Sequence, residues 1–439
     1  MLLALLGPIQ ARADGISPRP TAEALRYWPQ WRGPLATGAA PEANPPVEWS
    51  ESRNIRWKLA LPGKGHSTPI IWSDHIFLTA AVPYGETMKP VYDDAPGSHD
   101  NLPVTQRHRF IVVAVSRGEG KMVWNKTVRE ELPHEGGHET GSLASNSPVT
   151  DGKLLFAFFG SRGLYCFDLN GELKWQKDLG RMQTLHGHGE GSSPVVYGDF
   201  LILNWDDEAG SFLYAFDKRT GQQRWKVGRD DKTSWSTPLV VEHDAKPQVI
   251  ISATKRVRGY DLETGRLLWE CAGLSRNVVS SPVAGHGMVF AGNSYDWQAM
   301  LAIRLAGAKG DITETDRVAW KLNRLTPYVS SPLLYEDTLY FLRHNQNILS
   351  RLEPRTGKPR GEPLRLEGIR DFIFASPVAA AGRLYITGRD GTTVVVRHSN
   401  DNPTLAVNHL DDVFSASPAL VDRELYLRGE RFLYCLAEP

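Results

Sequence analysis

A tripeptide that is similar to Ser/Ala-Ser/Thr-Pro and is followed by apolar residues occurs eight times in this chain, and this repeat constrains the fold more than any other feature. The prolines are Pro69, Pro148, Pro194, Pro238, Pro282, Pro332, Pro377 and Pro418. The intervals between them are 79, 46, 44, 44, 50, 45 and 41 residues. A repeat of about 45 residues built from short strands is typical of a β-propeller.

Each repeat unit shows the same order of strand and turn signals. In the unit that begins at Pro194, apolar stretches lie at 195–196, 200–203 and 213–216, and a Thr-Gly turn precedes a strand that contains Trp225. Proline has no amide hydrogen to donate, so it belongs at the first residue of a strand. Glycine tolerates the positive φ of a tight hairpin. Every unit is therefore predicted to form four antiparallel strands.

The last unit ends after its third strand, at residues 432–436. A segment with the pattern of a fourth strand lies at the other end of the chain, where residues 54–59 contain Trp57 and precede Pro69. Pairing of these two segments closes a ring and leaves no free sheet edge. We therefore predict an all-β fold: an eight-bladed β-propeller of four-stranded antiparallel blades, one domain over residues 54–439.

A tryptophan recurs in the predicted fourth strands. The residues are Trp124, Trp175, Trp225, Trp269 and Trp320. A large flat ring buries much apolar area, and its N–H can reach a neighbouring carbonyl. We predict that these side chains pack between adjacent blades rather than against a ligand.

Charge and cysteine content argue against several classes of protein. Lys and Arg total 50 and Asp and Glu total 50, so no global field favours nucleic acid or an anionic membrane. The three cysteines, Cys166, Cys271 and Cys435, lie far apart, which predicts buried free thiols rather than a disulfide framework. No segment approaches the roughly 20 apolar residues of a transmembrane helix.

The N-terminus resembles an export signal. Residues 1–13 contain a short apolar run and end in Ala11-Arg12-Ala13, a small-x-small cleavage pattern. We expect a signal peptide over residues 1–13 and a periplasmic or secreted protein; the alternative is a mildly apolar terminus without a targeting role. No cysteine near Ala13 offers a lipidation site. Residues 14–53 are predicted to form an irregular arm that covers one face or side of the propeller.

Two motifs carry a family resemblance. The sequence Tyr214-Ala215-Phe216-Asp217, followed by Thr220-Gly221 and Trp225, resembles the repeat of pyrroloquinoline quinone (PQQ)-like propellers. Quinoprotein alcohol dehydrogenases and BamB-type outer-membrane assembly factors share that repeat. The arm motif Trp28-Pro29-Gln30-Trp31-Arg32-Gly33-Pro34 is similar to the opening of exported PQQ-like propellers of planctomycete-type bacteria.

The resemblance implies two different activities. Quinoprotein dehydrogenases carry a disulfide between adjacent cysteines over the quinone, and a calcium ion beside an aspartate base. No two cysteines of this chain are adjacent, and no Cys-x-x-Cys-His haem motif is present. We therefore predict no cofactor, with PQQ as the alternative. BamB-type proteins are lipoproteins, and the missing lipidation cysteine distinguishes this chain from them.

The loops between blades and the second hairpin of each blade lie at the same end of a propeller, which predicts a binding face there. The candidate ligand-binding residues at this channel mouth are His66, Arg162, His188, Trp235, Arg256, Arg258, Tyr328, Arg343, Arg389 and Arg428. Guanidinium groups suit carboxylates or phosphates, and aromatic rings suit planar groups or sugars. We expect an anionic, partly planar small molecule or an acidic peptide; the alternative is that the hairpin arginines are simply solvated.

A second candidate site is a metal centre. His186, His188 and Glu190 alternate along the chain, and Asp206 lies in the same blade. Imidazole and carboxylate suit zinc or a similar ion. The interleaved glycines are equally typical of a plain turn.

Catalytic motifs are missing from the sequence. No phosphate-binding glycine loop, nucleophile elbow or His-Glu-x-x-His motif occurs. Ser193 recurs at the same position in other blades, which indicates a structural role rather than a nucleophile. We therefore expect a non-catalytic exported propeller that binds a ligand or partner. The alternatives are a PQQ-dependent dehydrogenase and an assembly scaffold of the cell envelope.

Overall fold

The computed structural model describes residues 20–401 and 403–439, so the predicted signal peptide lies outside the described residues. The described chain forms eight antiparallel sheets, or blades. Blade 1 consists of Ile70–Trp72, His75–Tyr84, Arg107–Ser116 and Met122–Glu131. Blade 2 consists of Val149–Thr150, Leu154–Phe158, Leu164–Asp168 and Leu173–Lys177. Blade 3 consists of Val195–Tyr197, Phe200–Trp205, Ser211–Asp217 and Gln223–Arg229.

Blade 4, the first of the middle blades, has an additional strand. Blade 4 consists of Leu239–His243, Lys246–Ala253, Arg256–Asp261 and Leu267–Ala272, and the short strand Gly310–Asp311 adds to its outer edge in parallel. Blade 5 consists of Val283–Gly285, Met288–Ser294, Gln298–Arg304 and Val318–Leu322. Blade 6 consists of Leu333–Tyr335, Thr338–Leu342, Ile348–Leu352 and Leu364–Arg365.

The last blades bring the two ends of the propeller together. Blade 7 consists of Val378–Ala380, Arg383–Thr387, Thr392–Arg397 and Thr404–His409. Blade 8 consists of Ala419–Val421, Glu424–Arg428, Phe432–Ala437 and, from the start of the chain, Ile55–Ala60. Trp57 lies opposite Cys435 and Lys58 opposite Tyr434. The predicted all-β, eight-bladed fold and its closure are confirmed.

Helical structure in the described residues is short. It comprises one α-helix, Ala22–Leu25, and the 3-10 turns Gly160–Arg162 and Leu185–Gly187. A helix with the length and apolar character needed to cross a membrane does not occur in the part of the chain that the structure describes.

The serine or threonine before each repeated proline forms what we call the hydroxyl ring. The backbone N–H of seven of the eight members donates to the hydroxyl of its counterpart in the next blade, as Ser147 does to Ser193 at 2.9 Å. Seven such bonds, of 2.8 to 3.0 Å, run from Thr68 in blade 1 to Ser417 in blade 8. The repeated serine is therefore structural, because its hydroxyl is used to join neighbouring inner strands.

Tryptophans of the outer strands join the blades at the opposite, outer edge. The indole N–H of Trp175 donates to the carbonyl of Lys218 in the next blade at 3.1 Å, and its ring covers Gly221. Trp57, Trp124, Trp225 and Trp320 make the equivalent bond at 2.8 to 3.0 Å. Trp269 differs and donates to Gln248 within its own blade. The prediction of packing between blades is confirmed for the other four predicted tryptophans.

The arm runs across the inner strands and inserts side chains between them. Trp28 is fully buried and pairs through its backbone with Ile71 of blade 1. Arg32 is also buried and donates to the carbonyl of Pro332 in blade 6 at 2.9 Å. The arm therefore contacts blades that are not neighbours in the ring, and its Trp31 lines the cavity of the central channel.

The cysteines are three buried free thiols, as predicted. Burial raises the pKa of Cys271 to about 11, so this thiol is protonated and unreactive at neutral pH.

Candidate functional site: a cavity at the channel mouth

A cavity of about 550 Å³ opens at the end of the channel that carries the interblade loops. Its volume lies within the range of small-molecule sites. Its aromatic lining residues are Trp31, Trp235, Tyr295, Tyr328, Phe372 and Phe374. Hydroxyls of the ring, among them Ser193 and Thr237, also contribute to the wall. The cavity thus combines flat apolar surfaces with neutral hydrogen-bonding groups.

Trp31 is the arm residue that lines the cavity. The same residue lines a small space beside Pro194, Pro238 and Pro282, which directly precede inner strands. Trp31 therefore lies between the cavity and the level of the hydroxyl ring, and the arm contributes an aromatic surface to the cavity.

One side of the mouth is built by three loops that depart from the repeat, residues 85–106, 132–145 and 184–190, which we call the loop wall. Asn101 donates its side-chain amide to the carbonyl of His186 at 2.8 Å. The backbone N–H of Leu102 donates to Gly137, and that of Glu139 donates to Asp100. The three loops therefore hold one another by direct hydrogen bonds.

Four histidines meet in the loop wall. His99 and His188 stack with ring centroids 4.7 Å apart, and Nε2 of His188 lies 2.9 Å from Nδ1 of His99. His138 and His186 lie 4.8 and 5.3 Å from the ring of His188. Burial, with the charges of the neighbouring imidazoles, lowers the pKa of His188 to about 4. The cluster is therefore held together with its central imidazole neutral at pH 7.

The structure does not bring the predicted metal-binding set together. His186 and His188 lie in the cluster, but Glu190 is paired with Arg162 at 3.1 Å and Asp206 with Arg229 at 2.9 Å. Over residues 20–401 and 403–439, no three His, Cys, Asp or Glu side chains are arranged to hold a metal ion. The glycine-rich stretch instead forms a turn in which His186 has a positive φ of 60°.

Of the ten predicted ligand-binding residues, four line the cavity: His66, His188, Trp235 and Tyr328. Trp235 is oriented by its indole N–H, which donates to Gly189 at 2.6 Å. Tyr328 accepts a 2.6 Å hydrogen bond from Asn277 and stacks on His344. These contacts fix both rings, so the cavity presents preformed aromatic surfaces.

Three of the predicted arginines are used in ion pairs beside the cavity instead of facing it. Arg162 is buried and binds Glu190 and Glu131. Arg258 is buried against Asp231, 2.7 Å away, and shares Glu270 with Arg256. Their charge is balanced by these carboxylates, so they do not form the expected ring of arginines around a ligand.

The other three predicted arginines differ from these and from one another. Arg343 is exposed in its hairpin and does not line the cavity. Arg428 is buried and donates to the backbone carbonyl of Thr79 at 2.7 Å. Arg389 lies over the ring of Phe374, with its guanidinium carbon 5.3 Å from the ring centroid. Arg389 is thus next to the cavity wall.

Comparison with known proteins places this architecture in a family. A sequence profile described as outer membrane protein assembly factor BamB matches residues 108–360 and 209–431, which together span most of the chain. The chain belongs to this PQQ-like propeller family. A comparison with curated protein sequences gives no match.

Solved structures agree with this assignment at the level of the fold. BamB from Moraxella catarrhalis is 14% identical with a TM-score of 0.50, over 82% of this chain and 97% of that protein. Quinohemoprotein alcohol dehydrogenase from Comamonas testosteroni is 10% identical with a TM-score of 0.61, over 95% of this chain and 81% of that enzyme. A europium-containing methanol dehydrogenase is 9% identical with a TM-score of 0.55, over 92% and 89% of the two chains.

The residues of the cavity do not fit PQQ with its calcium ion. The three cysteines are free and none of them lines the cavity, so no disulfide is placed to cover a quinone. No lysine or arginine is among the described residues that line the cavity. The pairing of Glu190 and Asp206 with arginines also removes two carboxylates from metal binding.

Proposed function

We propose that this PQQ-like propeller is an exported, non-catalytic binding protein that holds a small ring-bearing molecule in the cavity at the channel mouth. The observation that carries the proposal is the preformed pocket: Trp31 lines it, and Trp235 and Tyr328 are fixed in its wall by hydrogen bonds. Preorganised aromatic surfaces bind planar groups without an ordering cost.

Binding of a planar probe tests this proposal directly. We expect 2-naphthamide to bind and to change the intrinsic tryptophan fluorescence. Trp235→Leu weakens binding about tenfold, because one aromatic wall is lost. Trp297→Leu is the matched control, since Trp297 is 49% exposed on a hairpin and does not line the cavity. Equal affinity in all three proteins would contradict the proposal.

Reconstitution with PQQ distinguishes the dehydrogenase alternative from a non-catalytic binding protein. We expect no bound quinone chromophore, and no dye reduction with alcohols or sugars, after the protein is incubated with PQQ and Ca²⁺. A stoichiometric chromophore with substrate-dependent dye reduction would favour the enzyme.

The envelope-scaffold alternative predicts protein partners instead of a small ligand. Retention of one defined envelope protein at a constant ratio, undiminished by cavity substitutions such as Trp235→Leu, would favour a scaffold. We also propose a periplasmic or secreted location, tested by N-terminal sequencing of the mature protein, which we expect to begin at Asp14.

A further inference from the structure

Arg32 of the arm carries a buried positive charge without a counter-ion. The residue is only 4% exposed. Burial lowers the pKa of Arg32 to about 9, and no carboxylate of the described chain acts against this shift, so the guanidinium is still charged at pH 7. A charge that is removed from water and left unpaired is strongly unfavourable. The protein groups around Arg32 therefore leave its charge to be balanced by something else.

The hydrogen-bonding capacity of Arg32 is also only partly used. Its Nη2 donates to the carbonyls of Thr37, at 3.2 Å, and Pro332, at 2.9 Å. Its Nε and Nη1 are buried, and neither has a hydrogen-bond partner among residues 20–401 and 403–439. Buried N–H groups require an acceptor. Arg32 thus has donors available for an acceptor that is not part of the protein.

A space of about 20 Å³ adjoins Arg32, between the arm and the inner strands of blades 3, 4 and 5. One water molecule needs about 10 to 15 Å³ of such a volume, so the space admits a single particle of about that size. An organic carboxylate or phosphate is too large for it. None of the described residues that line the space is Asp or Glu. The size and the lining therefore suit one monatomic anion.

The lining also contains neutral hydrogen-bond donors. Thr237 and Ser281 line the space as members of the hydroxyl ring, and their hydroxyls accept from the N–H groups of Ser193 and Thr237. Neither hydroxyl donates to a group of the described chain, so its hydrogen is available to an anion. Gln30, at the same space, carries two further N–H donors. Donors grouped beside a guanidinium favour an anion, because a neutral molecule would leave the charge of Arg32 unbalanced.

We propose that a chloride ion binds in this space, between the guanidinium of Arg32 and the hydroxyls of Thr237 and Ser281. The ion balances the buried charge and connects the arm to the inner strands of blades 4 and 5. The site is distinct from the proposed ligand cavity, although Trp31 and Thr237 line both. It goes beyond the proposed function, and its test does not depend on the ligand of that cavity.

Urea unfolding at constant ionic strength tests the site in solution. Sodium chloride replaces sodium gluconate, whose anion is too large for the space. For a dissociation constant of about 10 mM, raising chloride from about 1 to about 100 mM lowers the equilibrium constant of unfolding about tenfold in the wild-type protein. Arg32→Met keeps a long side chain and removes the charge, so it should abolish this response.

Arg428→Met is the matched control. Arg428 is 2% exposed and, like Arg32, has a pKa lowered to about 9 by burial without an opposing carboxylate in the described chain, but it does not line the space. Arg428→Met should therefore keep the chloride response of the wild-type protein. An equal response in all three proteins would mean that chloride acts on the whole protein, and would overturn the proposal.

Bromide locates the ion in the unaltered protein, which keeps the proposal testable if Arg32→Met does not fold. Crystals grown with about 200 mM bromide in place of chloride should bind the ion at nearly full occupancy. We expect an anomalous peak within hydrogen-bond distance of Nε or Nη1 of Arg32 and of the hydroxyl of Thr237 or Ser281. The absence of a peak at this position would overturn the proposal and leave the proposed function of the cavity unaffected.

Discussion

The hydroxyl ring and the loop wall are adjacent, but they are built in different ways. The ring repeats one amide-to-hydroxyl bond seven times between buried inner strands. The loop wall uses three loops without internal repetition and a cluster of partly exposed histidines. Repetition makes the ring rigid and insensitive to pH, whereas the loop wall depends on the protonation state of its imidazoles. The cavity therefore lies between a rigid ring of hydrogen bonds and a loop wall whose stability depends on pH.

The largest expected effect concerns the contacts between blades. Gly221 has a φ of 69°, and a Cβ there would lie 2.8 Å from the ring of Trp175. We expect Gly221→Ala to reduce the free energy of unfolding by about 3 kcal/mol, since the strain of positive φ is added to a steric clash. Gly198 in the same blade has a φ of 55° and open space around it. Gly198→Ala should therefore lose only about 1 kcal/mol of unfolding free energy. Urea titration of both variants measures the two losses. Equal losses would contradict the role of Trp175 in packing against Gly221.

The next effect isolates one bond of the hydroxyl ring. Thr237 accepts from the N–H of Ser193 at 3.0 Å, whereas the hydroxyl of Thr68, at the closing junction, is buried without a partner in the described chain. Thr237→Val leaves a buried N–H unsatisfied and should reduce the free energy of unfolding by about 2 kcal/mol. Thr68→Val makes the same chemical change and should leave the free energy of unfolding almost unchanged, because the hydroxyl of Thr68 accepts no such bond. A larger loss for Thr68→Val would show that the ring bonds are not stabilising.

The smallest effect is the response of the loop wall to acid. Burial lowers the pKa values of both His188 and His138, so their neutral forms are favoured in the folded state. The stabilisation is fully present above pH about 6.5, the ordinary pKa of histidine, and is lost as pH falls towards 4. Solvent screening limits the loss to about 1 kcal/mol. Asp93, Asp100 and Glu139 also face the cluster and attract the protonated form, whereas the charge of Arg389 opposes protonation of His138.

Hydrogen exchange, corrected for the intrinsic effect of pH, measures this response. Between pH 7 and pH 5, protection should decrease in residues 85–106 and 184–190 and stay constant in the inner strands. His188→Gln should reduce the difference between the two pH values, and His138 should account for the part that remains. Uniform loss of protection over the whole propeller would contradict a separate response of the loop wall.

The fold was predictable from the sequence because each blade repeats the same local signals, and the closing strand carries the same tryptophan as the others. The placement of His66, Trp235 and Tyr328 followed from their position just before the repeated proline motif. The contribution of Trp31 was missed, although its motif was recognised, because the route of an irregular arm depends on distant contacts such as Arg32 with Pro332.

The roles of the arginines were not predictable for a related reason. Whether a hairpin arginine is free depends on carboxylates from other strands, such as Glu131 and Glu190 around Arg162. The repeat fixes where each hairpin lies, but it does not state which neighbouring side chains meet there. Arg389 could be separated from Arg162 only once these partners were known.

A crystal structure of the protein with 2-naphthamide tests the central claim most directly. We predict electron density for the ring of the probe in the cavity, beside Trp235. Density for the probe only outside the channel mouth would contradict the claim.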